Sequence, residues 1–195
     1  MANKGFLLVL MQPPPAFEEE FNAWYDSEHI PERLAIPGFL TAMRYVCLAG
    51  HPRYLAMYDL EHFDVLQSAA YLKFAYDNSS PWTKRVTSRV KVWRYAGHQI
   101  TPGHALTKPS ARVQLLRFRG LAAGAGTDLA KAADGALGQR PEILQTRLLA
   151  HVGGTAGAEY LVFTELAGPI ELGLSITKLG GFTECLDLVN TYAPY

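Results

Sequence analysis

Apolar side chains recur at intervals of three and four residues near the amino terminus, a spacing that places them on one face of a helix. These residues are Phe17, Phe21, Trp24 and Tyr25. Pro31 follows them; it cannot donate a backbone hydrogen bond, and it disfavours the helical conformation at the preceding residue. The pattern therefore predicts one amphipathic helix that stops or bends at about His29 and carries an imidazole at its end.

Short apolar runs and alternating segments predict the other elements of the first half of the chain. Residues 5–11 form a continuous apolar run before three prolines, which is typical of a buried strand. Residues 39–49 and 53–61 alternate as strands, and the short turn between them makes them antiparallel. A helix is predicted over 65–76 and a fourth strand over 85–95. The order strand, helix, strand, strand, helix, strand is the ferredoxin-like arrangement.

The second half of the chain repeats part of this order after a segment that contains glycine and proline and lacks apolar periodicity. Its predicted elements are a strand, an Ala-rich helix and two further strands, over 112–119, 127–137, 142–152 and 160–166. We therefore predict a degenerate internal duplication. The three parts are a first ferredoxin-like unit over 1–97, a linker over 98–110 and a second unit over 111–195.

Two pairs of segments support the duplication. Tyr-Leu-Val-Phe-Thr-Glu-Leu at 160–166 aligns with Tyr-Leu-Ala-Met-Tyr-Asp-Leu at 54–60, and 147–150 aligns with 44–47. The alternative is that two apolar hairpins look alike by chance. The second helix offers no histidine, so any site is expected in the first unit.

Composition excludes several classes of partner. Of the 195 residues 49% are hydrophobic and 18% are charged, which is typical of a soluble globular protein. Lys plus Arg equals Asp plus Glu at 18 each, so no net field attracts nucleic acid or an anionic membrane. No stretch is long enough to span a membrane. With only Cys47 and Cys185, no disulfide framework is indicated, and the cytoplasm is the expected compartment.

The first helix also carries a recognisable motif. Trp24-Tyr25-Asp26-Ser27-Glu28-His29-Ile30-Pro31, followed by Pro37-Gly38-Phe39, resembles the first-helix signature of EthD-like proteins in the dimeric α/β-barrel superfamily. The segment 54–60 is similar to that family's third element, and Ser80-Pro-Trp-Thr-Lys-Arg85 resembles a segment of its longer members. The resemblance covers about the first half of the chain. It implies an α+β fold in which two tandem βαββαβ units pack their antiparallel sheets into a barrel.

His29 is the candidate general acid/base, because an imidazole titrates near neutral pH. Asp26 is expected to fix its tautomer, and Tyr45 is expected to donate a hydrogen bond to a developing enolate oxygen. The alternative is that His29 only meets the negative end of the helix dipole. Glu28 is expected to be structural and to pair with a basic side chain such as Arg33.

Further residues of the first unit are candidates for binding a flat, unsaturated and carboxylated ligand. They are Arg44 and Arg89 as anion clamps, His51 in a turn, and Tyr58 and Trp82 as aromatic lining. The alternatives are a core role for the aromatic residues and a surface role for the charges. Cys47, on the same strand face as Tyr45, is a weaker candidate for a nucleophile.

The predicted function is a cofactor-independent isomerase, dehydratase or lyase, or cyclase that acts on a small unsaturated or aromatic-derived acid or lactone. No metal-ligand spacing and no phosphate-binding glycine loop is present in the sequence, so no metal or cofactor is expected. The resemblance leaves open a cofactor-free or haem-dependent monooxygenase, and a non-catalytic ligand-binding protein. A homodimer formed through exposed strand edges or helices also stays open.

Overall fold

The computed structural model describes residues 3–154 and 157–195. Eight strands form its framework: β1 (Gly5–Gln12), β2 (Met43–Cys47), β3 (Tyr54–Leu60), β4 (Lys91–Thr101), β5 (Arg112–Leu121), β6 (Ile143–His151), β7 (Ala158–Leu166) and β8 (Leu186–Pro194). They close into one antiparallel barrel in the order β1-β3-β2-β8-β5-β7-β6-β4. The α+β barrel expected from the sequence is confirmed.

Helices cover the outside of the barrel. They are α1 (Glu18–Trp24), α2 (Ile30–Leu34), α3 (Ala69–Leu72), α4 (Pro81–Thr87) and α5 (Gly126–Leu137), with 3-10 segments at Pro15–Phe17, Phe63–Gln67, Tyr76–Asn78 and Ile176–Cys185. No helix among the described residues is long and apolar enough to cross a membrane.

The two halves of the barrel have the same internal strand order. The first half reads β4-β1-β3-β2, and the second reads β8-β5-β7-β6, so each has its fourth, first, third and second strand in that sequence. The halves join where β2 pairs with β8 and where β4 pairs with β6. The division of the chain at 97 and 110 stays a prediction, although β4 continues past it to Thr101.

Strand register corrects one part of the sequence alignment. Met43 pairs with Met57 in the first half, and Arg147 pairs with Phe163 in the second. Because 57 aligns with 163, the counterpart of Arg147 is Met43, not Arg44 as the sequence alignment had it. A slip of one residue moves a side chain to the other face of a sheet. Arg147 therefore points into the barrel, and Arg44 points to the outer helices.

Three apolar layers result from the alternation of strand faces. Inward-facing residues such as Phe6, Leu8, Met57, Leu115 and Phe163 fill the barrel. The outward face of the first half packs against α1 and α4, and that of the second half packs against α5. The barrel interior is thus a core of packed side chains, and the layers outside it are where the two halves differ.

Residues 105–108 lie against inward-facing charges near the ends of β3 and β7. The backbone N–H of Thr107 donates to Asp59 Oδ2 at 2.6 Å, and that of Lys108 donates to Glu165 Oε1 at 2.7 Å. Arg147 Nη1 donates to Asp59 Oδ1 at 2.6 Å. The connection between the halves therefore covers a buried ion pair with contributions from both of them.

The first helix bends at Pro31 and does not stop there. A π-helical turn, Tyr25–His29, joins α1 to α2. The wider turn relieves the clash that a proline ring makes with the carbonyl four residues earlier, so the chain stays helical to Leu34. Of the predicted stop or bend at about His29, the stop is wrong, because His29 lies within a continuous helical segment.

Two other predicted elements need correction. The expected helix over 65–76 is a 3-10 turn followed by α3, because the Ser68 hydroxyl accepts a hydrogen bond from Tyr71 N at 3.1 Å and starts a new helix. The expected fourth strand from residue 85 begins only at Lys91. Residues 81–87 are α4, in which Pro81 occupies the first turn and Ser80 is the N-cap.

Candidate functional site

The helical segment 18–34 covers the outward face of the first half-barrel, and five polar or titratable side chains meet in this layer. Three of them follow one another at intervals of four residues along the helix and so share a face. Two come from β2 and β3. We call this group the helix–sheet cluster: Tyr25, His29, Arg33, Arg44 and Tyr58.

The guanidinium of Arg44 lies between two aromatic rings. Its Cζ is 4.4 Å from the ring centroid of Tyr25 and 4.2 Å from that of Tyr195. Nη1 pairs with the Asp26 carboxylate, and Nη2 donates to Asn22 Oδ1 at 2.6 Å. Arg44 is therefore buried with its charge compensated.

This pairing corrects the role expected for Asp26. Its carboxylate binds Arg44, and the described hydrogen bonds include none between Asp26 and His29. Asp26 is exposed, whereas the imidazole packs against the rings of Trp24 and Tyr25. Asp26 belongs to the rim of the site and does not set the His29 tautomer.

His29 is held between aromatic rings. Its ring centroid is 4.3 Å from that of Trp24 and 5.1 Å from that of Tyr25. Nδ1 is buried without a hydrogen-bond partner, although the residue as a whole keeps part of its surface accessible. Burial holds the pKa of His29 well below its usual range, and the charges of Arg33 and Arg44 lower it further. The imidazole is therefore neutral at pH 7.

The two phenols of the cluster are protonated at any ordinary pH. Burial raises the pKa of Tyr25 to about 12 and that of Tyr58 well above its usual range. The Tyr25 hydroxyl lies 3.2 Å from Met11 Sδ, and the Tyr58 hydroxyl neighbours Tyr25 but makes no hydrogen bond of standard geometry. Tyr58, a predicted binding residue, is thus a buried hydrogen-bond donor in the same layer as His29.

An open pocket of about 250 Å³ adjoins the cluster on the side of Arg44. Its lining comes from the π-helical turn, the start of α2, β2 with the residue before it, and the end of the chain: Asp26, Ile30, Ala42, Met43, Arg44 and Tyr195. The arginine provides a cation at its base, and the ring of Tyr195 provides a flat wall. A planar ligand entering here would meet Arg44 first.

The segment 80–83 supports the helix from outside. Ser80 Oγ donates to Glu28 Oε1 at 2.5 Å, and Thr83 Oγ1 donates to the same oxygen at 3.1 Å. Thr83 Oγ1 also accepts from Trp24 Nε1 at 3.0 Å. Glu28 is structural, as expected, but its partners are these hydroxyls and not Arg33.

Tyr45 does not lie with His29. Strand alternation places it on the inward face of β2, opposite to Arg44, where it is fully buried with its ring 6.2 Å from that of Phe163. Burial raises its pKa, and its hydroxyl has no partner. The expectation that Tyr45 holds an enolate oxygen beside His29 is therefore corrected, because the sheet separates the two residues.

Three further predicted binding residues lie outside the cluster. His51 is exposed in its turn, with Nδ1 3.0 Å from Gln12 Oε1. Arg89 is exposed after α4, and its Cζ is 5.5 Å from the ring of Phe17. Trp82 is half-buried on α4, which packs against the far side of α1. Of the predicted binding residues, the structure brings together Arg44 and Tyr58 only.

Two other kinds of site were considered in the sequence, a nucleophilic Cys47 and a metal site. Cys47 faces the barrel interior, and burial raises the pKa of its thiol, which disfavours the reactive thiolate. The described residues contain no group of three or more His, Cys, Asp or Glu side chains arranged to hold a metal ion.

Arg33 is the residue of this site that sequence reasoning placed wrongly. It lies four residues after His29, so it continues the face that begins with Tyr25. That interval was the available signal. The prediction that the helix stops or bends at about His29 left open whether a next turn follows, so this interval was not used.

No protein-family model and no curated protein matches this sequence. Solved structures do match its fold. An anthrone oxidase-like protein superposes with a TM-score of 0.66 at 11% identity, over 100% of this chain and 92% of the other. A proposed monooxygenase from Lactobacillus acidophilus superposes with a TM-score of 0.58 at 9% identity, over 99% and 93%. A mutant chlorite dismutase from Candidatus Nitrospira defluvii gives 0.56 at 10% identity, over 100% and 93%.

The chain has the dimeric α+β barrel fold. At these identities the likeness extends to the fold and not to the reaction. In this dimeric α+β barrel both sheets come from one chain, because each half supplies four strands. The narrower resemblance to EthD-like proteins stays a prediction.

Proposed function

We propose that this chain oxidises a flat phenolic or enolisable aromatic compound with dioxygen, without a bound cofactor, at the helix–sheet cluster. The observation that carries the proposal is a neutral imidazole with an unpartnered Nδ1 beside two guanidinium groups. Such a base can take a proton from a carbon acid or a phenol, and the cations stabilise the anion that forms. The oxidase-like and monooxygenase-like fold neighbours favour this reaction over isomerisation.

Each residue of the cluster has a separate role in this scheme. His29 Nδ1 accepts the proton, Arg44 and Arg33 stabilise the negative charge, and Tyr58 donates a hydrogen bond to the substrate oxygen. The electron-rich anion then passes electrons to dioxygen. For a methylene substrate, one oxygen atom becomes the new carbonyl and the other leaves as water with the two displaced hydrogens, so that R₂CH₂ and O₂ give R₂C=O and H₂O.

The residues present do not fit a haem. An axial ligand needs a histidine that faces a large cavity, and cofactor sites usually measure about 300–1,000 Å³. The pocket beside Arg44 is about 250 Å³ and is lined by no histidine. His29 Nδ1 is enclosed by the rings of Trp24 and Tyr25. No step of the proposal uses such a group.

A second candidate is the isomerase, lyase or cyclase expected from the EthD-like resemblance. The unpartnered Tyr58 hydroxyl favours it, because a buried donor suits an enolate oxygen whether or not dioxygen is consumed. It uses the same base, so the two candidates differ in one observable, the consumption of oxygen.

The test measures oxygen uptake by the full chain with anthrone and 1-naphthol, together with product analysis under air and under nitrogen. His29→Asn is expected to lower kcat/KM by about 10²–10⁴-fold because it removes the base. His62→Asn is the matched control, since His62 is exposed and distant from the cluster. Turnover that persists under nitrogen supports the second candidate, and an unchanged rate in His29→Asn contradicts both.

A further inference from the structure

Arg33 is a buried cation without a counter-ion. It is 5% exposed. Its Nη2 donates to the backbone carbonyl of Phe74 at 3.1 Å, and its Nη1 has no partner. No carboxylate lies within ion-pair distance among the residues that the structure describes. An arginine is almost never this buried unless its charge is paired, because desolvation of an isolated charge is costly.

The other buried arginines show what a compensated charge looks like in this fold. Arg44 pairs with Asp26, and Arg147 pairs with Asp59. Glu28, the carboxylate that the sequence suggested for Arg33, is satisfied by hydroxyls of the segment 80–83. Among the three buried arginines, Arg33 is therefore the one whose anion is missing from residues 3–154 and 157–195.

The surroundings of Arg33 offer more unpartnered polar atoms. His29 Nδ1 and the Tyr58 hydroxyl are both buried without a hydrogen-bond partner. Both belong to the helix–sheet cluster, and the charge of Arg33 acts on the pKa of each. One guanidinium nitrogen, one imidazole nitrogen and one phenolic hydroxyl are thus buried in a single layer without hydrogen-bond partners.

Aromatic rings form the rest of this environment. Arg33 Cζ is 5.2 Å from the ring centroid of Tyr71, which stacks on Phe39 at 6.1 Å with an interplanar angle of 12°. The ring of Phe39 is in turn 5.8 Å from that of Tyr58. A ligand that brings a negative charge to Arg33 is therefore enclosed by flat apolar surfaces, which suits an aryl or polyenyl acid and not a sugar phosphate.

We propose that Arg33 Nη1 is the receptor for the carboxylate of an aromatic acid ligand, and that His29 Nδ1 and the Tyr58 hydroxyl face the reacting part of the same ligand. This deepens the proposed function by naming the substrate class, and it rests on that proposal for the location of the site. The pocket beside Arg44 is then the route by which the ring system reaches the layer. Arg44 does not bind the carboxylate, because its charge is already paired with Asp26 and its guanidinium lies between the rings of Tyr25 and Tyr195.

Binding is tested with 2-naphthoate as the probe and 2-naphthamide as its uncharged analogue, by thermal shift and calorimetric titration of the full chain without turnover. The wild-type chain is expected to bind 2-naphthoate at least about tenfold more tightly than the amide. Arg33→Met is expected to lower the 2-naphthoate affinity by about 10–100-fold, the range for a lost hydrogen bond to a charged group, and to leave the amide affinity unchanged. Arg119→Met is the matched control, an exposed arginine on β5 in the second half, and should change neither.

The ligand-free variant gives a second readout that a merely structural arginine would not produce. Because Arg33 carries an uncompensated buried charge, ligand-free Arg33→Met is expected to have a Tm equal to or above that of the wild type. Equal affinities of the wild-type chain for the acid and the amide, or full 2-naphthoate binding by Arg33→Met, overturn the proposal.

If Arg33→Met does not fold, the proposal is still tested, because the wild-type affinities for 2-naphthoate and 2-naphthamide can be compared without the variant. The result is also separable from the reaction. Oxygen uptake with neutral 1-naphthol, when the chain does not bind the acid, supports the proposed function and contradicts this inference. Acid binding without oxygen uptake on any substrate supports this inference and contradicts the proposed function.

Discussion

The two halves of the barrel share a strand order but differ in the layer outside it. In the first half, β2 and β3 present Arg44 and Tyr58 to the helices. At the register-equivalent positions of the second half stand Leu148 and Thr164. The helix there, α5, contributes apolar side chains to this layer: Leu129, Ala133, Ala136 and Leu137. The outer layer of the first half therefore carries a cluster of titratable side chains, whereas the helix that covers the second half contributes apolar ones.

Two arginines show the same contrast at the level of single residues. Arg44 and Arg147 occupy similar sequence contexts, yet one faces the helices and the other faces the barrel interior. Arg44 compensates an exposed carboxylate, whereas Arg147 compensates Asp59, which is 1% exposed. The first arginine borders an open pocket, and the second is enclosed in the barrel interior.

The largest expected effect comes from breaking the interior pair. Arg147→Leu leaves Asp59 buried without a counter-ion, and we expect a loss of about 3–5 kcal/mol in the free energy of unfolding, measured by urea denaturation. Arg44→Leu frees a carboxylate that water can reach, so its loss should be much smaller. Equal losses for the two variants would contradict the assignment of opposite roles.

A double variant sharpens this comparison. Asp59→Asn combined with Arg147→Leu removes both charges, so it is expected to recover part of the stability lost in Arg147→Leu alone. Recovery would show that the uncompensated carboxylate, and not the lost packing of the arginine stem, is the main cost.

An intermediate effect is expected from the pH dependence of His29. Its pKa in the folded state lies well below the value of about 6.5 for an unfolded histidine, so the unfolded chain binds more protons over that interval. The free energy of unfolding should fall as the pH drops below about 6.5, by up to ~1.4 kcal/mol per pH unit, until the pH passes the folded-state pKa. Stability above about pH 6.5 should not depend on this group.

The difference between wild type and His29→Asn isolates this contribution, because carboxylates titrate alike in both. The difference in the free energy of unfolding between the two proteins should be smaller at pH 5.5 than at pH 7.5. Parallel pH profiles would mean that the imidazole is protonated freely and is not desolvated. The exposed His62→Asn should follow the wild type throughout.

The smallest effect concerns the two thiols, one in each half. Cys47 is buried, its pKa is raised by burial, and its Sγ donates to the Ala49 carbonyl at 3.0 Å. Cys185 is half-buried and lines an apolar pocket of about 440 Å³. Ellman's reagent should therefore label Cys185 quickly and Cys47 only on unfolding. Cys185→Ser should abolish the fast phase, and its survival in that variant would contradict the burial of Cys47.

The sequence by itself determined the architecture. Hydrophobic periodicity located the first helix and most of the strands, and the repeated order of elements indicated two units. These features are local, because the spacing of apolar residues already fixes which face of a helix or strand is buried. His29, Arg44 and Tyr58 could be singled out for the same reason, since each belongs to a strongly patterned element.

Only the tertiary structure decided which candidates share a space. Alternation separates Tyr45 from Arg44, but only strand pairing and the docking of the helices decided that the face of Tyr45 and Arg147 is the barrel interior. Arg33 joined the cluster because a π-helical turn kept the chain helical past Pro31. Tyr195 reached Arg44 from the other end of the chain through closure of the barrel. Contacts between distant segments depend on strand pairing, which sequence spacing does not encode.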